Sequence, residues 1–256
     1  MRGVRIPTRV RTRPSLPSLL IATIVLAASC RGGDGPAAPP EGSKAVSFPS
    51  AGGVRLDGRI VGDGPVAVVL SHMFPADQRS WWPFAGRLAR EGYTALTYDF
   101  RGYCPGGAAG CSQGEKDIGR IWQDVVAAIG FVRSRGSTNV VLLGASMGGT
   151  ASLVAAAQEG VSVAAIVTLS APTSFEGLAV TPDSLARVSA AKLFVAGVSD
   201  PAGAADAAEA LYAQSPQPKR VEILTTDDHG TDMLEGNQSG ILQTKILDYL
   251  RVYAPA

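Results

Sequence analysis

Residues 139–158 read NVVLLGASMGGTASLVAAAQ, and this stretch decides the fold. The run 139–144 is apolar without alternation, as expected of a strand covered on both faces. The segment 150–158 is rich in small helix-forming residues. Between them stand Gly144, Ala145, Ser146, Met147 and Gly148, a G-x-S-x-G pattern in a strand–turn–helix setting. A serine on so sharp a turn leaves no room for side chains two places to either side, and glycine at 144 and 148 removes the clash. The turn presents the Ser146 hydroxyl above the sheet, and the N-terminus of the following helix favours negative charge developing there.

Working outward, short apolar runs rich in Val, Ile, Leu and Thr recur at 66–71, 94–100, 163–169, 193–197 and 221–224, and 45–48 with 54–60 reads as an antiparallel edge hairpin. Helical patterns lie between them at 79–90, 117–133, 202–213 and 241–253. Strand and helix in alternation predict a doubly wound, mostly parallel sheet with right-handed crossovers. Such sheets place their sites just beyond the carboxyl ends of the strands. The chain holds two histidines, His72 and His229, and each follows a strand candidate. A serine hydroxyl needs a base, and histidine is the side chain suited to that near neutral pH.

With these motifs the chain resembles the α/β-hydrolase family from about residue 44 to 253. The resemblance implies an eight-stranded, mostly parallel sheet and a triad in the order nucleophile, acid, histidine. It assigns Ser146 as nucleophile, Asp200 after the run 193–197 as the acid, and His229 after the last strand as the base. Asp227 and Asp228 are rival acids, although from beside His229 they would have to fold back to orient its ring. The oxyanion hole is expected from the backbone N–H of Met147 and of Phe74, with Met73 as the fallback. The family commonly has His-Gly-X there, whereas this chain has His72-Met73-Phe74, and His72 is expected to brace the loop.

Asp99-Phe100-Arg101-Gly102-Tyr103 resembles the family's D-x-R-G-x turn, which usually runs on through a Gly, a Ser and another Gly. Here the loop 104–111 intervenes before Ser112-Gln113-Gly114. Cys104 and Cys111 close that loop, and in an oxidising compartment they are expected to form a disulfide worth about 2–3 kcal/mol. The loop is expected at the rim of the active site, where it either shapes substrate access or is only decoration. The segment 170–192 has room for one helix, so a large lid domain is not expected.

The ends of the chain speak to location. Residues 1–29 carry Arg2, Arg5, Arg9, Arg11 and Arg13, no acid, and the apolar run 19–28, which together describe a signal peptide. That run is too short to cross a bilayer, which takes about 20 residues. Ala27-Ala28-Ser29-Cys30 resembles the lipobox of bacterial lipoproteins, with Leu26 one place earlier than in that pattern. Residues 30–43 read as a flexible tether, and 44–256 as the hydrolase domain. Beyond residue 29 the chain holds 18 basic and 22 acidic residues, a balance that gives no footprint for nucleic acid.

The expectation is an exported, lipid-anchored serine esterase acting on small-molecule esters of short or medium acyl chain. No cofactor or metal is expected, and membrane contact is expected through the anchor only. Peptidase, thioesterase and dienelactone-type hydrolase remain alternatives, as does a non-catalytic binding module; the oligomeric state is open. Cys30→Ser should move the protein from the detergent phase to the aqueous phase in a partitioning assay, since one residue carries the lipid. Equal partitioning of the two forms would mean plain signal cleavage.

Overall fold

A computed structural model describes residues 37–256; the expected signal peptide, the lipidation site Cys30 and the tether up to residue 36 lie outside the described residues. Strands β1 (Lys44–Pro49) and β2 (Arg55–Val61) pair antiparallel, with Phe48 opposite Leu56. β3 (Val66–Ser71) passes through α1 (Trp82–Arg90) to β4 (Thr94–Tyr98), and α2 (Trp122–Ser134) returns the chain to β5 (Asn139–Ala145). α3 (Met147–Ala156) leads to β6 (Ala165–Leu169). A small hairpin, β7 (Ser174–Phe175) with β8 (Leu178–Ala179), and the short α4 (Pro182–Ala186) precede β9 (Ala191–Gly197). α5 (Ala204–Gln214), β10 (Lys219–Leu224) and α6 (Ser239–Tyr253) complete the described chain.

Eight strands form one sheet in the order β1-β2-β4-β3-β5-β6-β9-β10, antiparallel at β1, β2 and β4 and parallel from β4 to β10. Successive side chains of β3 serve opposite layers. Ala67 and Val69 pack into a core with Val125 and Ile129 of α2 and Ala151 of α3. Val66, Val68 and Leu70 pack into another with Leu88 of α1 and Leu242 and Ile246 of α6. Both faces of the strand are therefore dry, which explains its unbroken apolar run. α1 and α2 leave on opposite faces toward β4 and β5, on either side of β3, so the sheet has its switch point at the carboxyl ends of β3 and β5. No large lid interrupts 170–190; a hairpin and a five-residue helix occupy that span.

A buried ion pair sets the turn after β4. Arg101 Nη2 lies 2.7 Å from Asp124 Oδ1 on α2, and the Arg101 backbone N–H donates to Asp124 Oδ2 at 3.0 Å. Ser50 Oγ donates to the same carboxylate at 2.6 Å. The disulfide between Cys104 and Cys111 is present. Its loop does not reach the rim of the site, as the sequence had suggested, but lies against β1 and β2. There the Cys111 N–H donates to Asp57 Oδ2 at 2.9 Å, and Arg59 Nη1 donates to the Ala108 carbonyl at 3.1 Å. These bonds to β2 pull the loop toward the sheet edge.

Two buried titratable groups stand beyond the carboxyl ends of β3 and β4. His72 Nδ1–H donates to the Met73 carbonyl at 2.9 Å, and Nε2 accepts the Phe100 N–H at 3.1 Å, which fixes a neutral ring. Burial pushes His72 down to about 4. Burial also pushes Asp99 up to about 7, against hydrogen bonds from Gln78. The stability linked to His72 is present above about pH 6.5 and lost as pH falls toward 4, because the unfolded chain takes the proton first. For Asp99 the sign is opposite: stability is present below about pH 4 and lost as pH rises through 7. The two slopes offset one another. In urea titrations, His72→Asn should therefore unmask an unfolding free energy that falls by up to about 4 kcal/mol from pH 4 to 7, and Asp99→Asn one that rises by up to about 3 kcal/mol from pH 4 to 6.5. Slopes of the same sign in both variants would contradict this balance.

Candidate active site

Ser146 sits between β5 and α3 with a φ of 49°, a region that costs a residue with a Cβ. Its N–H donates to the Leu169 carbonyl at 2.8 Å, which ties the turn to β6. A Cβ at Gly148 would run into the carbonyls of Ser71 and His72, 2.6 Å from the latter, and one at Gly144 would lie 2.5 Å from the Gly149 nitrogen. Glycine is required at both places by close backbone approach. Met147 and Gly148 open α3, so their N–H groups have no acceptor one turn earlier in the helix.

His229 follows β10, and its Nδ1 lies 2.8 Å from Asp200 Oδ2. The other carboxylate oxygen of Asp200 accepts the Ala202 N–H at 2.9 Å. In the tautomer whose Nδ1–H donates to Asp200, the second ring nitrogen of His229 is the acceptor. Of the three candidate acids, Asp200 is the one against the ring. Asp227 is exposed, and Asp228 Oδ2 accepts the Thr226 hydroxyl at 2.7 Å while facing Gly236.

Ser146 and His229 line one cavity of about 280 Å³. Its remaining walls are Phe74, Ser170, Pro172, Phe175, Ala202, Ala204 and Ala207, so no cationic side chain faces it and most of the lining is apolar. Phe74 is 46% exposed at the mouth, and its ring centroid lies 6.2 Å from that of Phe175. Among the described residues, three non-glycine positions have positive φ: Ser146, Ser170 and Glu176. The first two line the cavity and the third turns the hairpin that carries Phe175, so backbone strain is gathered at this site.

Met73, which stands where the related motif has glycine, is buried beneath the His229 loop. The Thr231 hydroxyl points at its sulfur at 3.6 Å, and Gly230, at a φ of 56°, leaves the space that sulfur fills. The departure from the motif is thus accommodated from across the cavity. Sequence reasoning did not find Phe175, Ser170 or the alanine wall. Two-residue strands carry no periodicity, and the remaining cue, Gly177 after Glu176, is a turn signal too weak to place a side chain.

The α/β hydrolase fold family matches the sequence over residues 66–238. No curated protein matches the chain. Solved structures do: an esterase of Pyrococcus furiosus (TM-score 0.68, 17% identity, 82% of this chain and 92% of that one) and a thermophilic esterase of Thermogutta terrifontis (0.66, 18%, 82% and 99%). A dienelactone hydrolase of Anabaena variabilis is similar at TM-score 0.66 and 21% identity, over 82% of this chain and 97% of that one. At these identities the likeness is one of fold. The family match covers more than half of the 256 residues and agrees with the strand order and the serine turn described above, and the chain belongs to the α/β-hydrolase fold family.

Proposed function

We propose that this protein is a serine hydrolase that cleaves carboxylic esters of short or medium acyl chain. The observation that carries the reading is the 2.8 Å contact of His229 with Asp200 at a cavity His229 shares with the strained Ser146. Ser146 Oγ attacks the acyl carbon while His229 takes its proton, and Asp200 stabilises the imidazolium. The tetrahedral oxyanion is met by the N–H groups of Met147 and Phe74. His229 then returns the proton to the departing alcohol, leaving an acyl-serine. Water, activated by the same histidine, attacks the acyl carbon, and the free acid leaves with Ser146 restored.

The lining supports a neutral acyl group. A substrate bearing a second carboxylate would have to shed its hydration against Phe74, Phe175 and three alanines with no cation in return. That weighs against a dienelactone-type reaction, despite the likeness of fold. We further propose export and anchoring through a lipid on Cys30. Residue 37 lies beside the loops at 76–80 and 231–235, which flank Phe74 and His229. Seven steps of chain separate it from Cys30, a reach of at most roughly 25 Å.

Fluorophosphonate labelling followed by an ester panel tests the reading. Ser146→Ala and His229→Ala should each abolish labelling and lower turnover by about four to six orders of magnitude. Asp200→Asn should cost about 10⁴ through the wrong imidazole tautomer. Turnover should fall once the acyl chain outgrows the cavity, and Ala207→Leu should move that limit to shorter chains. A larger loss in Asp227→Asn or Asp228→Asn than in Asp200→Asn would overturn the acid assignment. Full turnover in Ser146→Ala would overturn the nucleophile.

A further inference from the structure

We propose that Gln78 is a positioning residue for the oxyanion donors, clamping the segment that carries Phe74 to the disulfide-closed loop 104–111. The inference rests on the reading of Ser146 as nucleophile. Gln78 is fully buried, four residues beyond Phe74, and its amide is fully engaged. Nε2 donates to Asp99 Oδ2 and to the Ala109 carbonyl, both at 2.6 Å, and Oε1 accepts from Thr97 Oγ1 at 3.0 Å. The backbone N–H of Gln78 donates to Asp99 Oδ1 at 2.9 Å. One side chain thus joins the end of β4 and the inserted loop to the stretch leading back to Phe74.

A loop that merely decorated the surface would have no need to supply an acceptor to a buried amide. Here the Ala109 carbonyl, at 2.6 Å, is the nearer of two carbonyls facing the Gln78 amide, the other being that of Asp57 at 3.3 Å, so its departure would leave a proton in a dry site with only the longer bond. The loop also has a second route inward through Tyr103, the neighbour of Cys104. The Tyr103 ring stands edge-on to His72 at 4.6 Å, and its hydroxyl points at Met147 Sδ at 3.9 Å. Tyr103 therefore touches both arms of the oxyanion hole, since His72 braces the segment of Phe74 and Met147 is the other donor. The disulfide loop lines no part of the cavity, so its influence on the reaction would run through these contacts rather than through substrate.

Displacing a donor by about 1 Å costs on the order of a hundredfold in rate, and substrate held only by the cavity walls would not register it. Gln78→Met keeps the volume and removes the clamp. It should lower kcat by about 10- to 100-fold with KM within about twofold. The pair Cys104→Ser with Cys111→Ser leaves every buried side chain of the network in place and should give a similar loss. Combining all three changes should cost no more than the larger single effect, because the clamp is one unit. Affinity for a boronic acid that mimics the tetrahedral intermediate should fall in step with kcat/KM. A core variant matched in Tm, Ile129→Val, should keep kcat and boronate affinity.

Unchanged kcat in Gln78→Met or in the cysteine pair, with a lowered Tm, would overturn the proposal. Losses that multiply in the combined variant would do the same. Full ester turnover in Ser146→Ala would instead overturn the underlying reading, whatever Gln78 does.

Discussion

Backbone meets backbone where the turn at Ser146 crosses the end of the central strand, and no side chain fits between them. A methyl group at Gly148 would enter the space of the Ser71 and His72 carbonyls. This approach holds the first turn of α3 directly against the chain leading to Phe74, main chain on main chain. Main-chain registry is stiffer than registry by side chains, which keep their rotamers. What surrounds the junction preserves it. His72, neutral and bonded at both nitrogens, joins Met73 to Phe100, and Ser146 donates to Leu169 on the next strand.

Charge is handled with the same economy. The Arg101–Asp124 pair is buried with Ser50 as a third partner, and removing either charge would strand the other at a cost of about 3–5 kcal/mol. That pair fixes the turn from which Tyr103 and the disulfide loop depart. Asp200 has two duties at once, one oxygen on His229 and the other on the Ala202 N–H. The loop that begins at the acid ends in α5, whose alanines wall the cavity. Orientation of the imidazole and the shape of the pocket are therefore set by one short piece of chain.

Much of this was legible before any coordinates. The apolar run at 66–71 is β3 to the residue, since a strand dry on both faces writes itself as an unbroken run. The serine turn was legible because its glycines answer a steric demand that no other residue meets. What stayed hidden depends on distant chain. Phe175 reaches the cavity from a hairpin of two-residue strands, too short for any period. Gln78 reads as an ordinary polar residue entering a helix, and only the arrival of Asp99 and Ala109 reveals it as a hub. The disulfide pairing followed from cysteine arithmetic, but the place of its loop did not. Hydrogen bonds to Asp57 and Arg59 on β2 decide that, and nothing in the loop's own sequence announces them.

The uncharged cavity also governs departure. On the proposed reaction, deacylation frees a carboxylic acid whose ordinary pKa of about 4 makes it an anion at neutral pH. That anion forms against phenylalanine, proline and alanine walls, with no lysine or arginine to retain it. Beyond the N–H groups proposed for the oxyanion hole, its solvation comes from the water at the mouth, where Phe74 stands half exposed. Ionisation thus evicts the product and discourages its return, so each turnover clears the pocket for the next ester.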